Sequence, residues 1–193
     1  MRPLAAAFAL ILSIALVPAI SFAAPWKIDP DHSHLTFAVD NLGFSLTQGQ
    51  FRKFSADIDF DPENVETSSV SFVIDTNSVD TNSKGRDKSI RSKNYLNVKN
   101  FPEITFVSDT VRLIDDNKAE VKGEVTIRGE TREATFMAEM IRIAANPFSK
   151  NTQLAGFAVT GVINRVEFGI TYGAPAVGVD INVRLDLQLK EQK

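Results

Sequence analysis

Near the C-terminus, thirteen consecutive residues leave the backbone one regular conformation: Val177, Val179, Ile181, Val183, Leu185, Leu187 and Leu189 alternate with Gly178, Asp180, Asn182, Arg184, Asp186 and Gln188. A strand turns successive side chains to opposite faces, so this pattern makes one dry face and one wet face. On a helix the same residues would scatter around the whole surface, and no core could form against them. The period recurs along the chain. Leu35, Phe37 and Val39 alternate with Thr36, Ala38 and Asp40, and Val70, Phe72 and Ile74 with Ser71, Val73 and Asp75. Ile104 and Phe106 alternate with Thr105 and Val107, and Val121, Gly123, Val125 and Ile127 with Lys122, Glu124, Thr126 and Arg128. Ala134, Phe136, Ala138 and Met140 do the same with Thr135, Met137, Glu139 and Ile141.

Turn-forming residues separate these runs: Asp61-Pro62, Asp115-Asp116-Asn117, Arg128-Gly129-Glu130, Asn146-Pro147 and Ala174-Pro175. Short connections between alternating strands predict hairpins and a mostly antiparallel sheet. The strand–helix–strand rhythm of doubly wound and TIM-type folds is missing, and no repeat or linker divides the chain. The reading is one all-β domain of about eight strands.

The stretch from Ser78 to Leu96 breaks the pattern. It is polar, and it predicts a loop carrying a short helix from Gly85 to Ser92, capped by Asn82 or Ser83. Lys84, Arg86, Lys88, Arg91 and Lys93 against Asp87 place a charge of +4 within ten residues. Two roles fit such a run: a solvated lid or connector, or a landing site for an anionic headgroup or membrane surface.

The N-terminus has a different logic. Arg2 precedes an apolar run from Leu4 to Ile20, and Ser21-Phe22-Ala23 supplies a small-x-small cleavage pattern. Residues 1–23 therefore read as a secretory signal peptide, cut after Ala23, with residues 24–193 as the folded domain. Removing 23 of 193 residues, Arg2 among them, leaves 170 residues with 20 basic and 24 acidic side chains. A mild acidic excess speaks against nonspecific nucleic-acid binding. The chain has no Cys, which removes thiol chemistry, disulfides and cysteine-based metal sites. An export signal without Cys tilts towards the periplasm rather than a disulfide-rich extracellular setting.

Chemistry-bearing constellations are sparse. GxSxG, HExxH, P-loop and GxGxxG motifs are absent, so no catalytic residue and no cofactor is assigned. His32 and His34 are the only histidines; two apart on a strand they would share a face, but no third ligand has a telling spacing and no metal is assigned. Asp57 and Asp59 share a face beside a turn and read as solvated surface. The expected domain instead favours Phe: twelve, against two Tyr and one Trp. Phe lacks the polar handle of the other two, so such a chain builds a dry interior. Eight-stranded barrels are either filled by side chains or hold one small ligand, and patterning does not separate the two.

Several motifs, in order, resemble the YceI family of bacterial periplasmic proteins. They are Ile28-Asp29-Pro30 with His32-Ser33 and Phe37; Gly49-x-Phe51 with Phe54; and Asp80-Thr81-Asn82 with Arg86-Asp87 and Leu96. Phe101-Pro102 with Thr105-Phe106, Gly123-x-Val125-x-Ile127-x-Gly129, and Gly156-Phe157 with Arg165 and Phe168-Gly169-Ile170 complete the set, from about Trp26 to Leu189. The resemblance implies a single antiparallel lipocalin-like barrel. It also implies an interior that holds a long apolar molecule: a polyisoprenoid, an isoprenoid quinone or a fatty-acid amide. Where many members carry His, this chain has Asp40 and Ser89.

On that basis the expected function is a non-enzymatic periplasmic carrier. Its expected lining is Phe37, Val39, Phe44, Phe51, Phe72, Ile74, Phe106, Val125, Phe136, Phe157, Val159 and Phe168. Asp40, Arg86 and Arg91 are the candidate headgroup contacts at the mouth. Expected partners are the apolar lipid or isoprenoid, a transient contact with the inner-membrane surface, and a second copy of the chain in a homodimer. Two other classes stay open: an interaction or stress-response module with a solid core, and an enzyme acting on a lipid headgroup.

Overall fold

The computed structural model describes residues 26–192, so the expected signal segment 1–23 lies outside the described residues. Eleven strands form one sheet: β1 (Trp26–Ile28), β2 (His34–Asn41), β3 (Ser45–Phe51), β4 (Phe54–Asp59), β5 (Ser69–Asp75), β6 (Val79–Asp80), β7 (Glu103–Asp115), β8 (Lys118–Ile127), β9 (Glu130–Asn146), β10 (Ser149–Asn164) and β11 (Val177–Glu191). One α-helix, α1 (Lys84–Arg91), lies in the basic segment. It starts one residue before the predicted span. Ser83 occupies its N-cap position without a side-chain cap bond.

Every pairing is antiparallel, and the sheet closes on itself. Residues of β1 and β2 line up along the one long strand β11, with Trp26 opposite Glu191 and Leu35 opposite Leu185. Trp26 also pairs with Ile58 of β4, which joins the two ends of the sheet. β3 and β4 are two halves of another bent strand, and β5 with β6 follows it, Phe54 opposite Ile74 and Phe51 opposite Val79. Counted as extended paths, the chain makes a closed antiparallel barrel of eight. Closure removes the unpaired edges that an open sheet exposes.

The break between β1 and β2 is pinned from within. A short 3-10 turn, Pro30–His32, interrupts the strand, and Asp29 before it is 2% exposed. Its Oδ2 accepts from His32 Nδ1 at 2.8 Å, Gln188 Nε2 at 2.9 Å and Lys190 Nζ at 2.8 Å. Burial alone would raise this carboxyl's pKa, but the bonds from Lys190, His32 and the Asp31 N–H outweigh it and hold the group at about 2. Ser33 Oγ accepts from the Gln188 N–H at 3.0 Å. The broken strand thus stays registered on β11.

Two apolar clusters sit near the two ends of the barrel. One gathers Trp26, Phe60, Ala155, Leu187 and Leu189; Phe60 meets Trp26 at 5.7 Å and Phe157 edge-on at 5.2 Å. The other gathers Leu96, Ile104, Val125, Ile127, Ile163, Phe168 and Ile170. Towards this second end lie α1, the β2–β3 and β8–β9 turns and the β10–β11 connection. Phe101 touches Gly129, and Arg128 Nη1 donates to Gly169 O at 3.1 Å.

Candidate ligand cavity

Between the two clusters the barrel is hollow. A cavity of about 360 Å³ runs through it, within the range of roughly 300–1,000 Å³ typical of small-molecule sites. All eight extended paths contribute to its wall. The inward faces do so because of the pleat: Ile181, Val183, Leu185, Leu187 and Leu189 of β11 all line it, while Asp180, Asn182, Arg184 and Asp186 point away. The solid-core alternative therefore does not describe this interior.

Two of the largest wall residues are laid flat. Gly161 of β10 stands opposite the ring of Phe136, and any Cβ there would fall on the ring's Cδ1. Gly49 of β3 likewise accommodates the ring of Phe37, which it pairs with. A missing side chain on one strand lets the phenyl ring of the next lie along the wall instead of across the lumen. Phe106 meets Phe136 edge-on at 5.2 Å, and Phe54 stacks on Phe72 at 5.4 Å.

Polar groups touch the cavity mainly at its ends; between them, among the described residues, only Thr36 and Thr105 do so. At the end near Trp26 these are Ser68 and the turn Asp116-Asn117-Lys118. At the other end they are Tyr95 and Arg165. Arg165 is 4% exposed, and its guanidinium donates to the carbonyls of Gly178 at 2.8 Å, Tyr172 at 3.1 Å, Val177 at 2.8 Å and also Ile170. It has no carboxylate partner among the described residues. These four bonds instead tie the β10–β11 connection into one knot.

Ten of the twelve predicted lining residues reach this cavity: Phe37, Val39, Phe51, Phe72, Ile74, Phe106, Val125, Phe136, Phe157 and Val159. Two do not. Phe44 is 90% exposed, because it sits in the β2–β3 turn beyond the last inward position. Phe168 is buried in a 3-10 turn after β10 and packs into the cluster behind the wall. The three headgroup candidates also lie outside the lining. Asp40 accepts from the Gly43 N–H at 2.8 Å and shapes the turn. Arg86 donates to Thr81 Oγ1 and Thr81 O, both at 2.9 Å. Arg91 donates to the carbonyls of Asn77, at 2.9 Å, and Val79. These cations hold the cap segment to the barrel.

Ile90, Tyr95 and Leu96 of that segment line the cavity, which the sequence reading missed. The available signal was that they are the only large apolar residues of this polar run after Val79. His32 is engaged by Asp29 and His34 is exposed; no three potential ligands converge among the described residues. Asp57 and Asp59 are exposed on β4.

The family model described as a YceI-like domain matches residues 26–190. A UPF0312 protein of Vibrio cholerae is 34% identical over 172 residues, covering 88% of this chain and 90% of that relative. The crystal structure of Burkholderia cenocepacia BcnA superposes with a TM-score of 0.75 at 26% identity, over 84% of this chain and 99% of that one. A polyisoprenoid-binding domain from Saccharophagus degradans shares the fold, with a TM-score of 0.65 at 15% identity, over 88% of this chain and 99% of that one.

Proposed function

The chain belongs to the YceI family, and on that premise we propose that it is a non-enzymatic carrier that holds one long apolar molecule in the barrel. The observation that carries this reading is the cavity: a preformed, almost wholly apolar space where a filled core was the alternative. A prenyl or acyl chain in water exposes surface that costs about 25 cal/mol per Å². Aliphatic and Phe walls remove that cost without ordering anything new, so affinity comes from transfer and not from a network of directed bonds. With few polar groups on the wall, such a site tolerates chain length and discriminates mainly at its ends. A polyisoprenoid, an isoprenoid quinone or a fatty-acid amide fits these demands. Among the described residues the polar side chains that touch the cavity gather mainly at its two ends, Ser68, Asp116, Asn117 and Lys118 at one and Tyr95 and Arg165 at the other, where they would meet the ends of a bound chain.

In this reading residues 1–23 direct export to the periplasm, where a carrier would move its ligand between membrane surfaces. The test is native mass spectrometry of protein prepared from a periplasmic extract without detergent, followed by organic extraction. A stoichiometric prenyl or acyl adduct, recovered chemically unchanged, is the expected result. A clean apo mass that no added isoprenoid quinone or long-chain lipid changes would overturn the reading.

A further inference from the structure

The β2–β3 turn spends apolar residues where folding gains nothing from them. Leu42, Phe44 and Leu46 are 54%, 90% and 60% exposed. Leu42 is also held in the left-handed region, at φ 59°, followed by Gly43 at φ 73°. Asn or Gly closes such a turn without that penalty. A bulky apolar residue in a conformation it disfavours, with its side chain in water, is a cost to the isolated domain.

The turn sits at the basic end of the barrel. Its Leu42 N–H donates to Ala176 O at 2.9 Å, which seats it on the β10–β11 connection. In that connection Tyr172 is 57% exposed and meets Tyr95 edge-on at 5.5 Å. Tyr95 follows α1, whose Lys84, Arg86 and Lys88 are exposed, as is Lys93 beyond it. The one acid within that run, Asp87, is buried and accepts from Thr81. An apolar tip, an amphipathic Tyr and a set of unneutralised lysines thus share one end of a protein whose net charge is −3.

We infer that this end docks on an anionic phospholipid surface, with the 42–46 tip entering the headgroup layer and the α1 lysines meeting lipid phosphates. Two weak signals of this kind, apolar insertion and basic attraction, together give reversible membrane attachment. The inference deepens the carrier reading and rests on it for its purpose: docking sets the Ile90 and Tyr95 end of the cavity against the bilayer that supplies or receives the ligand. The opposite end has its own exposed aromatic, Phe148 at 98%. That end carries exposed Glu63, Asp115 and Asp116; the α1 end also has exposed Glu130, Glu167 and Asp180, but it alone adds the exposed run Lys84, Arg86, Lys88 and Lys93 that an anionic surface attracts.

The experiment is co-sedimentation of the domain with vesicles of phosphatidylcholine, with and without phosphatidylglycerol. The wild-type domain is expected to bind only when phosphatidylglycerol is present and to release as salt is raised. Paired changes Phe44→Ser with Leu46→Ser, or Lys84→Glu with Lys88→Glu, are expected to weaken binding about tenfold. Phe148→Ser is expected to bind as wild type. All variants should keep the same adduct after exposure to isoprenoid quinone in native mass spectrometry, since none touches the cavity. Absence of vesicle binding, or loss in Phe148→Ser with the Phe44/Leu46 pair unaffected, overturns the docking surface. Vesicle binding by a protein that takes up no isoprenoid would support the docking surface and remove the carrier reading.

Discussion

The ring of Phe136 occupies the space that a side chain at position 161 would need, so the lumen is open because residue 161 is Gly. Gly161→Ala must push the ring off the wall, and the open direction is the cavity. Overpacking of this kind costs about 1–3 kcal/mol. The expected outcome is a folded protein with a lower melting temperature and a clear loss of affinity for long-chain isoprenoids, checked by fluorescence displacement. An unchanged affinity would mean that the ligand does not pass Phe136.

Phe106 stands edge-on to that ring near the middle of the wall. Phe106→Asp places a carboxylate where there is only apolar surface, and a ligand chain would have to bury it without a partner. Lipid uptake is expected to vanish while circular dichroism still reports the barrel. Phe72→Asp offers an independent check from β5. If both folded variants kept their lipid content, the interior would not be the binding site.

Asp29 ties the N-terminal strand break to Lys190, and its folded pKa of about 2 lies below the ordinary value of 3.8. The sign follows from which state binds protons more readily. Between those values the unfolded chain takes up the proton first, so stability from this group is complete above about pH 4 and is lost as pH falls towards 2. Asp29→Asn should flatten that part of the acid-unfolding profile. It should also lower stability at neutral pH by about 1–3 kcal/mol, because Lys190 and His32 lose their charged acceptor. Denaturant titrations across the acid range measure both effects.

Asp87 accepts from the Thr81 N–H at 2.8 Å and from its hydroxyl at 2.6 Å, and Arg86 closes on the same residue. The cluster fastens α1 over its end of the cavity. Asp87→Ala is expected to speed amide exchange across residues 79–96 and the release of bound isoprenoid, with exchange in β8–β10 unchanged. Arg86→Ala should loosen the same segment without changing which headgroup is preferred, since its guanidinium is spent on Thr81. A shift in headgroup preference in a competition assay would restore Arg86 as a ligand contact.

The alternation in β11 and its shorter echoes in β2, β5, β7, β8 and β9 were legible because they record one physical fact, a sheet with one dry face. β10 was not picked out as a strand, since Ala155, Gly156, Ala158, Thr160 and Gly161 dilute its period. Gly161 must be small because the Phe136 ring of β9 needs the room, a demand that exists only once the two strands are paired. β1 and β4 close the barrel through one short pairing at Trp26 and Ile58, too little to leave a periodic signal.

Among the side chains, the same division holds. Residues such as Phe72, Val125 and Phe157 could be assigned to the interior from period alone, because inward direction is a local property of a strand. Phe44 and Phe168 were misplaced because each lies just past a strand end, where period no longer fixes direction. Arg86 and Arg91 looked free in the sequence, yet backbone carbonyls in and around β6 claim them. By itself, then, the sequence determined an all-β, mostly antiparallel domain with a dry, Phe-rich face and a basic helical insert, since those follow from local periodicity and composition, whereas the closed barrel was implied by the resemblance to the YceI family. Only the tertiary structure decided that the inner face surrounds a space, because whether rings fill a lumen or lie against its wall depends on which residue the neighbouring strand sets opposite them.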